Sequence, residues 1–338
     1  MVREELQLRQ LAGQHLLCPS EPLYVVKDLC GLQAQFLSNA LHSLRLRSGS
    51  EQSDGLVKSW TIRGTVHVFA AEDLPLFLHK GRSHFLRPCD TLEADDGITK
   101  ERKQYFADLI VEKVSEGVDT REELKAACTA AGMTEREGER IFDPWGGTIR
   151  ALCEAGILCH KVQEKKAFMI CPPFEPLEEE TARLELARRY FTHYGPATVK
   201  DAAYFFGTTQ AQVKKWLAWL PVTAELCEGR TYFSVETSMD VPGALPACIF
   251  LAGFDPLMLG YEKKESLYLP QEHLRGIFNL AGIVMPAVLL HGRVVGRWKR
   301  RGRKVEVTLF EPVADADKRT ITEAAALLWP DAAEFLCL

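Results

Sequence analysis

Three absences narrow this sequence before any motif is read. No apolar run reaches the length of a membrane span, and the opening MVREELQLRQ is charged and helix-like, unlike an export signal. A cytoplasmic protein is expected. The 10 cysteines form no C-x-x-C pair, and the nearest two, Cys153 and Cys159, are six apart. They read as reduced core thiols, so no metal site and no cofactor is expected. Cys89 and Cys171 sit beside prolines without a recognisable histidine partner nearby in sequence. Finally, there is no G-x-G-x-x-G, no P-loop and no G-x-S-x-G. That removes the usual signatures of dinucleotide, nucleotide and serine-hydrolase chemistry.

What is present is globular. The chain has 338 residues, 46% hydrophobic and 26% charged, enough for two to four compact units. The formal net charge is −5, which argues against a nonspecific nucleic-acid binder as a whole. Its distribution is uneven. Segment 291–304, HGRVVGRWKRRGRK, carries seven Lys or Arg and no acid, whereas 175–180, EPLEEE, reads as an acidic linker. An acidic protein can still present a basic groove, because exposed charges more than about 10 Å apart are largely screened.

One pattern passes three times. In 181–236, Leu184, Ala187 and Phe191 line a first helix that Gly195-Pro196 ends. Thr198 with Asp201 caps a second, which Gly207 stops, and Thr209 with Gln212 reads as a further capping box. Val213, Trp216, Leu217 and Leu220 bury a third helix and leave Lys214 and Lys215 outward. Two strands around Glu228-Gly229 complete three helices and a hairpin, the order of a winged helix. Segment 101–171 repeats it: Phe106, Leu109, Ile110 and Val114; a box at Thr120 and Glu123; Trp145, Ile149 and Leu152; then strands around 163–166. Segment 3–70 is a looser copy, with Leu8, Leu11, Ala12 and His15 on one face, Leu37, Ala40, Leu41 and Leu44 on another, and a β-type run at 65–70.

The fold class expected is mainly α with β wings (α+β): tandem winged-helix units followed by a mostly β C-terminal domain. The expected division is 1–100, 101–175, 181–240 and 245–338, with a final helix starting after Thr320 or Thr322 and running through Ala324–Leu328. Such a chain reads as DNA-binding. A non-catalytic regulator and a protein-docking scaffold remain alternatives, because fold alone does not give function. Three unlike units in one chain suit a monomer on one lesion of double-stranded DNA better than a dimer on a palindrome.

The run Gly31-Leu32-Gln33-Ala34-Gln35, then Ser59-Trp60-Thr61-Ile62-Arg63-Gly64-Thr65-Val66-His67, resembles the AlkZ/YcaQ-like DNA glycosylases. Later runs agree: Phe254-Asp255-Pro256-Leu257-Met258-Leu259-Gly260-Tyr261, and VLLHGRVVGRW at 288–298. The resemblance covers nearly the whole chain in order. Phe36-Leu37-Ser38-Asn39 departs from the more polar, proline-containing turn expected after the motif. It implies tandem winged helices around a channel, glutamines facing DNA, and excision of N-alkylated purines, in some members from interstrand crosslinks.

The chemistry of that implication is simple. Alkylation at N7 or N3 makes a purine cationic, so it departs as a neutral molecule and needs no strong general acid. Amide carbonyls can hold a water and aim a dipole at the developing positive sugar. Gln33 and Gln35 are the candidates. Positions i and i+2 share a face only on extended backbone, so 32–36 should be extended or looped. On an extended segment Arg63, Thr65 and His67 also share a face. Arg63 would bind a phosphate or sit in a buried pair; His67 would orient a phosphate or water, or pack within a strand. Asp255 would support water activation or cap a turn. Arg293, Arg297, Lys299, Arg300, Arg301 and Arg303 would run along phosphates from a hairpin, or form a solvated hairpin tip.

Overall fold

The structure is a computed structural model and describes residues 1–81, 97–143, 146–235, 241 and 243–338. Trp145 and Cys89 lie outside the described residues. By contacts the chain divides into two units, one made of 1–52 with 184–338, the other of 53–183. This division is coarser than the four consecutive blocks read from the sequence, and it cuts the first of them at residue 52.

The first unit begins with helix α1 (Arg3–Gly13), which buries Leu6, Leu8, Leu11 and Ala12, but also Gln7 and Gln10. The apolar spacing describes only one side of it. The polar side is internal because distant groups take its hydrogen bonds. Gln7 donates to the Gly292 carbonyl at 2.8 Å and Gln10 to that of Pro196 at 2.7 Å. Tyr268 donates to Gln10 at 3.0 Å, and Gln14 donates to Tyr261 at 2.9 Å. Each such group left unpaired would cost about 1–3 kcal/mol.

Helix α2 (Pro22–Asp28) follows, with proline in its first turn. A two-residue strand β1 (Leu32–Gln33) leads to α3 (Leu37–Ser48), which Gly49 ends in the left-handed region at φ 72°. Of the expected α3 face, Leu37, Ala40 and Leu44 are buried and Leu41 is half-buried. Ser43 and Arg47 occupy the rest of the buried side.

The second unit opens with β2 (Leu56–Trp60) and β3 (Val66–Ala70), paired antiparallel from Leu56–Ala70 to Trp60–Val66. Helices α4 (Leu74–Phe77), α5 (Lys100–Ser115), α6 (Arg121–Ala130), α7 (Glu135–Ile141) and α8 (Gly147–Glu154) follow. The capping box at Thr120 and Glu123 is present, and a second at Thr134 and Glu137 starts α7, which the apolar spacing had not indicated. Strands β4 (Leu158–His160) and β5 (Phe168–Ile170) complete a sheet in the order β3-β2-β4-β5. Phe106, Ile110, Leu124, Ile149, Leu152, Leu158 and Phe168 form its core.

Helix α9 (Glu179–His193) carries the chain onward to α10 (Val199–Phe206) and α11 (Gln210–Leu217). The Thr198–Asp201 box and the Gly207 stop are both there. At Thr209 only the outgoing half is seen: its hydroxyl accepts from the Gln212 N–H. Strands β6 (Val222–Cys227) and β7 (Arg230–Val235) turn at Glu228-Gly229, where both residues have positive φ.

The remaining elements are β8 (Cys248–Leu251), α12 (Pro256–Leu259), α13 (Leu274–Ile277), β9 (Ala287–Leu290), β10 (Arg293–Arg301), β11 (Lys304–Leu309), α14 (Asp315–Leu328) and β12 (Glu334–Cys337). They form a sheet in the order β12-β11-β10-β9-β8, antiparallel except for β11 with β12. Helix α14 starts earlier than expected, at Asp315, because Ala314 already takes the extended conformation of an N-cap residue. Among the described residues no helix is long and apolar enough to cross a membrane.

One buried ion pair joins α3 to the segment before α12. Arg47 and Asp255 are both fully buried, with Nη2 to Oδ1 at 2.7 Å and Nη1 to Oδ2 at 3.0 Å. The Ser43 hydroxyl and the Leu257 N–H, the latter at the start of α12, also donate to the carboxylate. Removing one member of such a pair strands the other charge, at a cost of about 3–5 kcal/mol. Asp255→Ala should lose that much in urea denaturation. Arg47→Met with Asp255→Leu should recover most of it, and equal losses in the single and double variants would refute this account.

Candidate active site

The glutamine segment is shaped by its backbone before its side chains matter. After α2, Cys30 and Gly31 both take positive φ, 55° and 82°, and the Gly31 N–H closes on the Val26 carbonyl at 2.7 Å. This reverses the chain and starts an extended stretch at Leu32–Gln33. Leu32 and Ala34 are buried, Gln33 is 9% exposed and Gln35 is exposed. The chain bends at 35–36 before α3 begins, so the segment is extended at Leu32–Gln33 and looped from Gln35. Phe36, where a more polar turn was expected, is 51% exposed and packs its ring 6.2 Å from that of Phe254.

Phe254 is itself left-handed, at φ 58°, and its N–H is held by the Val284 carbonyl. A side chain at the preceding Gly253 would come within 2.7 Å of the Asn39 amide, so glycine there permits the close approach of α3. Asp255 then closes the arrangement through Arg47 and caps α12. Capping is the role its geometry displays, and its oxygens are engaged by Arg47, Ser43 and the Leu257 N–H.

In the second unit the expected extended run at 63–67 is replaced by a tight turn. Ile62–Gly64 is a short 3-10 turn with Arg63 left-handed at φ 55°, and the strand begins only at Val66. The Thr61 N–H bonds the Thr65 carbonyl, which closes the turn. His67 is buried and holds the same turn from within. Its Nδ1 lies 2.7 Å from the Thr61 hydroxyl and 3.1 Å from the Thr65 carbonyl. A carbonyl only accepts, so a proton on Nδ1 serves both contacts. Burial, with the charge of Arg63 adding to it, pushes the His67 pKa down to about 3, so the ring is neutral near neutral pH. His67 therefore grips the turn that presents the half-buried Arg63.

The basic run is less free than its sequence suggests. Lys299 pairs with Glu306 at 2.6 Å, Arg300 with Asp331 at 2.5 Å and Arg293 with Glu311 at 3.0 Å. Arg303 donates to the Asp331 carbonyl. Acids absent from 291–304 are supplied by neighbouring segments. Arg297, Lys299 and Arg301 share the exposed face of β10; Lys299 is ion-paired, and Arg301 acts on the same Glu306 carboxylate at longer range. From the sequence, Gly292-Arg293 and Arg301-Gly302-Arg303 fit hairpin turns; the turns fall at His291-Gly292 and Gly302-Arg303, with Arg293 and Arg301 already paired in β10. Lys214 and Lys215 are exposed on α11, and Trp219 just beyond is 80% exposed. Trp219 was not singled out from the sequence, although it falls outside the spacing of Val213, Trp216, Leu217 and Leu220.

Sequence gave no signal for a second group of buried polar residues. Lys58 on β2 lies opposite His160 on β4, and both are buried. Burial lowers the Lys58 pKa, and burial pushes that of His160 down to about 3, helped by Lys58, Lys166 and Arg121. Both histidines are thus neutral when folded, whereas in the unfolded chain they protonate near 6.5. The unfolded state binds more protons between about 6.5 and 3, so stability must fall as pH drops through that window. By pH 5 each histidine should cost about 2 kcal/mol. Denaturation at pH 7 and pH 5 should show this, with a shallower fall in His67→Gln; an unchanged slope in that variant would contradict the assignment.

Comparisons with known proteins agree with this architecture. The family model described as DNA glycosylase AlkZ-like matches residues 26–329. A relative from Streptomyces sahachiroi named interstrand DNA cross-link repair glycosylase is 26% identical over 329 residues, covering 89% of this chain and 88% of its own. The solved structure of Streptomyces sahachiroi DNA glycosylase AlkZ superposes with a TM-score of 0.73 at 22% identity, covering 99% of this chain and 98% of that one. The chain described here belongs to the AlkZ-like family of DNA glycosylases.

Proposed function

We propose that this glycosylase hydrolyses the N-glycosidic bond of N-alkylated, cationic purines in double-stranded DNA, including purines tethered in interstrand crosslinks, as a monomer. The observation that carries the reading is the extended segment at Gln33, turned out of α2 by two left-handed residues and followed at once by the exposed Gln35. The name of the 26%-identical relative supports the crosslink substrate.

The reaction needs little from the protein. The C1′–N bond breaks, and the bonding pair leaves with a base that was cationic and becomes neutral. The sugar passes through an oxocarbenium-like state, a water oxygen bonds C1′, and its proton goes to solvent. Gln33 and Gln35 hold that water and direct carbonyl dipoles at the sugar. An amide cannot deprotonate water near neutral pH, so undamaged purines stay in place. The target nucleotide is reached by extrusion, which costs less at a damaged base. Arg63, presented on the turn fixed by Thr61, Thr65 and His67, binds a backbone phosphate. Asp255 acts on this chemistry by fixing α3, whose first residue is Leu37, two beyond Gln35.

Duplex contact is proposed for two winged-helix units and one strand. Helices α9–α11 with β6–β7 have the order of a winged helix, with Lys214 and Lys215 on its third helix; α5–α8 with β4–β5 have that order with one further helix, α7, inserted. Arg297 and Arg301 supply phosphate contacts from β10, and Arg293, Lys299, Arg300 and Arg303 contribute to the field around them.

Single-turnover release of 7-methylguanine from duplex DNA tests the chemistry. Gln33→Ala and Gln35→Ala should each slow release roughly 10²–10³-fold, with undamaged guanine retained throughout. Wild-type rates in both variants would refute the proposal. Salt dependence tests the contacts. Arg297→Ala and Arg301→Ala should each lower the slope of log binding against log salt by about 1, more than Lys299→Ala or Arg300→Ala. Equal effects from all four would show that their ion pairs do not matter.

A further inference from the structure

Three helix ends in the first unit meet around one carboxylate. Asp28 is the last residue of α2, His193 is the last of α9, and His15 lies two residues beyond α1. The backbones are in close contact, since a side chain at Gly13 would come within 2.6 Å of the His193 carbonyl. His15 Nε2 is 2.8 Å from Asp28 Oδ2, and His193 Nε2 is 3.3 Å from Asp28 Oδ1. One ligand atom from each residue falls within 4.8 Å of the other two. His15 is held in the left-handed region at φ 59°, a conformation in which a non-glycine residue stores strain.

The bonding of His193 leaves one ring nitrogen to be filled by a proton or a metal ion. Its Nδ1 lies 3.2 Å from the Gly13 carbonyl, which can only accept, so Nδ1 carries the ring proton. The neutral ring therefore turns an unprotonated Nε2 towards a carboxylate oxygen. Two lone pairs then face each other, unless a second proton or a metal ion lies between them. An imidazole whose other nitrogen donates to a backbone carbonyl has the tautomer and fixed orientation of a metal-bound histidine. The C-terminal ends of α1, α2 and α9 add partial negative charge at the same place.

The geometry points to a divalent transition-metal site, of the zinc class, formed by His15 Nε2, Asp28 and His193 Nε2. Two imidazoles and one carboxylate are a donor set that zinc takes, with water in the remaining position. The cation would tie together three segments distant in sequence. Its role is structural and does not depend on the base-excision reading.

The test uses full-length protein, stripped with a chelator and dialysed, then titrated with Zn²⁺ against a chromophoric competitor. One equivalent should bind. His15→Gln, Asp28→Asn and His193→Gln should each weaken binding by roughly tenfold or more, with circular dichroism unchanged. Zn²⁺ should raise the thermal midpoint of wild type in a concentration-dependent way but not that of His193→Gln, which keeps a fold-independent loss distinguishable from unfolding. Co²⁺ should give visible d–d absorption with no thiolate charge-transfer band. Absence of stoichiometric uptake, uptake unaffected by His193→Gln, or a thiolate band that moves the metal to the cysteines would each overturn the site.

Discussion

The buried pair of Arg47 and Asp255 is the constraint on which the glutamine segment depends. Two charges taken out of water are tolerable only with near-ideal geometry and with further hydrogen bonds on the carboxylate. Here the fork of Arg47 meets both oxygens, and Ser43 and the Leu257 N–H add to it. The pair fixes α3 against the 253–258 segment. The close approach at Gly253 and the ring contact between Phe36 and Phe254 follow from that placement. The backbone that leads out of Gln35 is therefore determined by an interaction some ten residues further along the chain and more than two hundred away from its partner.

A second theme is that polar groups in this protein act by holding backbone. His67 grips a turn, Gln7 and Gln10 take carbonyls, and Tyr190 and Tyr194 donate to the carbonyls of Gly260 and Leu29. Buried amides and hydroxyls must find partners, and irregular segments such as 61–65 and 260–268 supply them. That is how a chain rich in loops between short helices keeps particular loops in particular shapes. It also suits the catalysis by uncharged groups proposed above, where the position of a dipole matters more than its strength.

Charge follows the same logic. The run at 291–304 looks uniformly basic, yet its strand lies beside β11 and near Asp331, and those neighbours pair with Lys299 and Arg300. Strand alternation leaves Arg297 and Arg301 on the outer face. Cation density in sequence is thus reduced by tertiary neutralisation to a few available contacts, consistent with a protein whose net charge is −5.

Local rules determined much of this protein. Capping residues marked the starts of α6 and α10, positive-φ turns lay where Glu228-Gly229 and Gly302 indicated, and periodic apolar residues marked α5, α8 and α11, because these depend on contacts within a few residues. The motif at Gln33 and the runs at 59–67 and 254–261 identified the family. Tertiary structure alone decided the rest. It buried the polar side of α1, turned Arg63 out of an extended run, joined Arg47 to Asp255 and brought His15, Asp28 and His193 together. Each of these rests on a partner far away in the chain, and no periodicity or spacing along a sequence records which distant groups will meet.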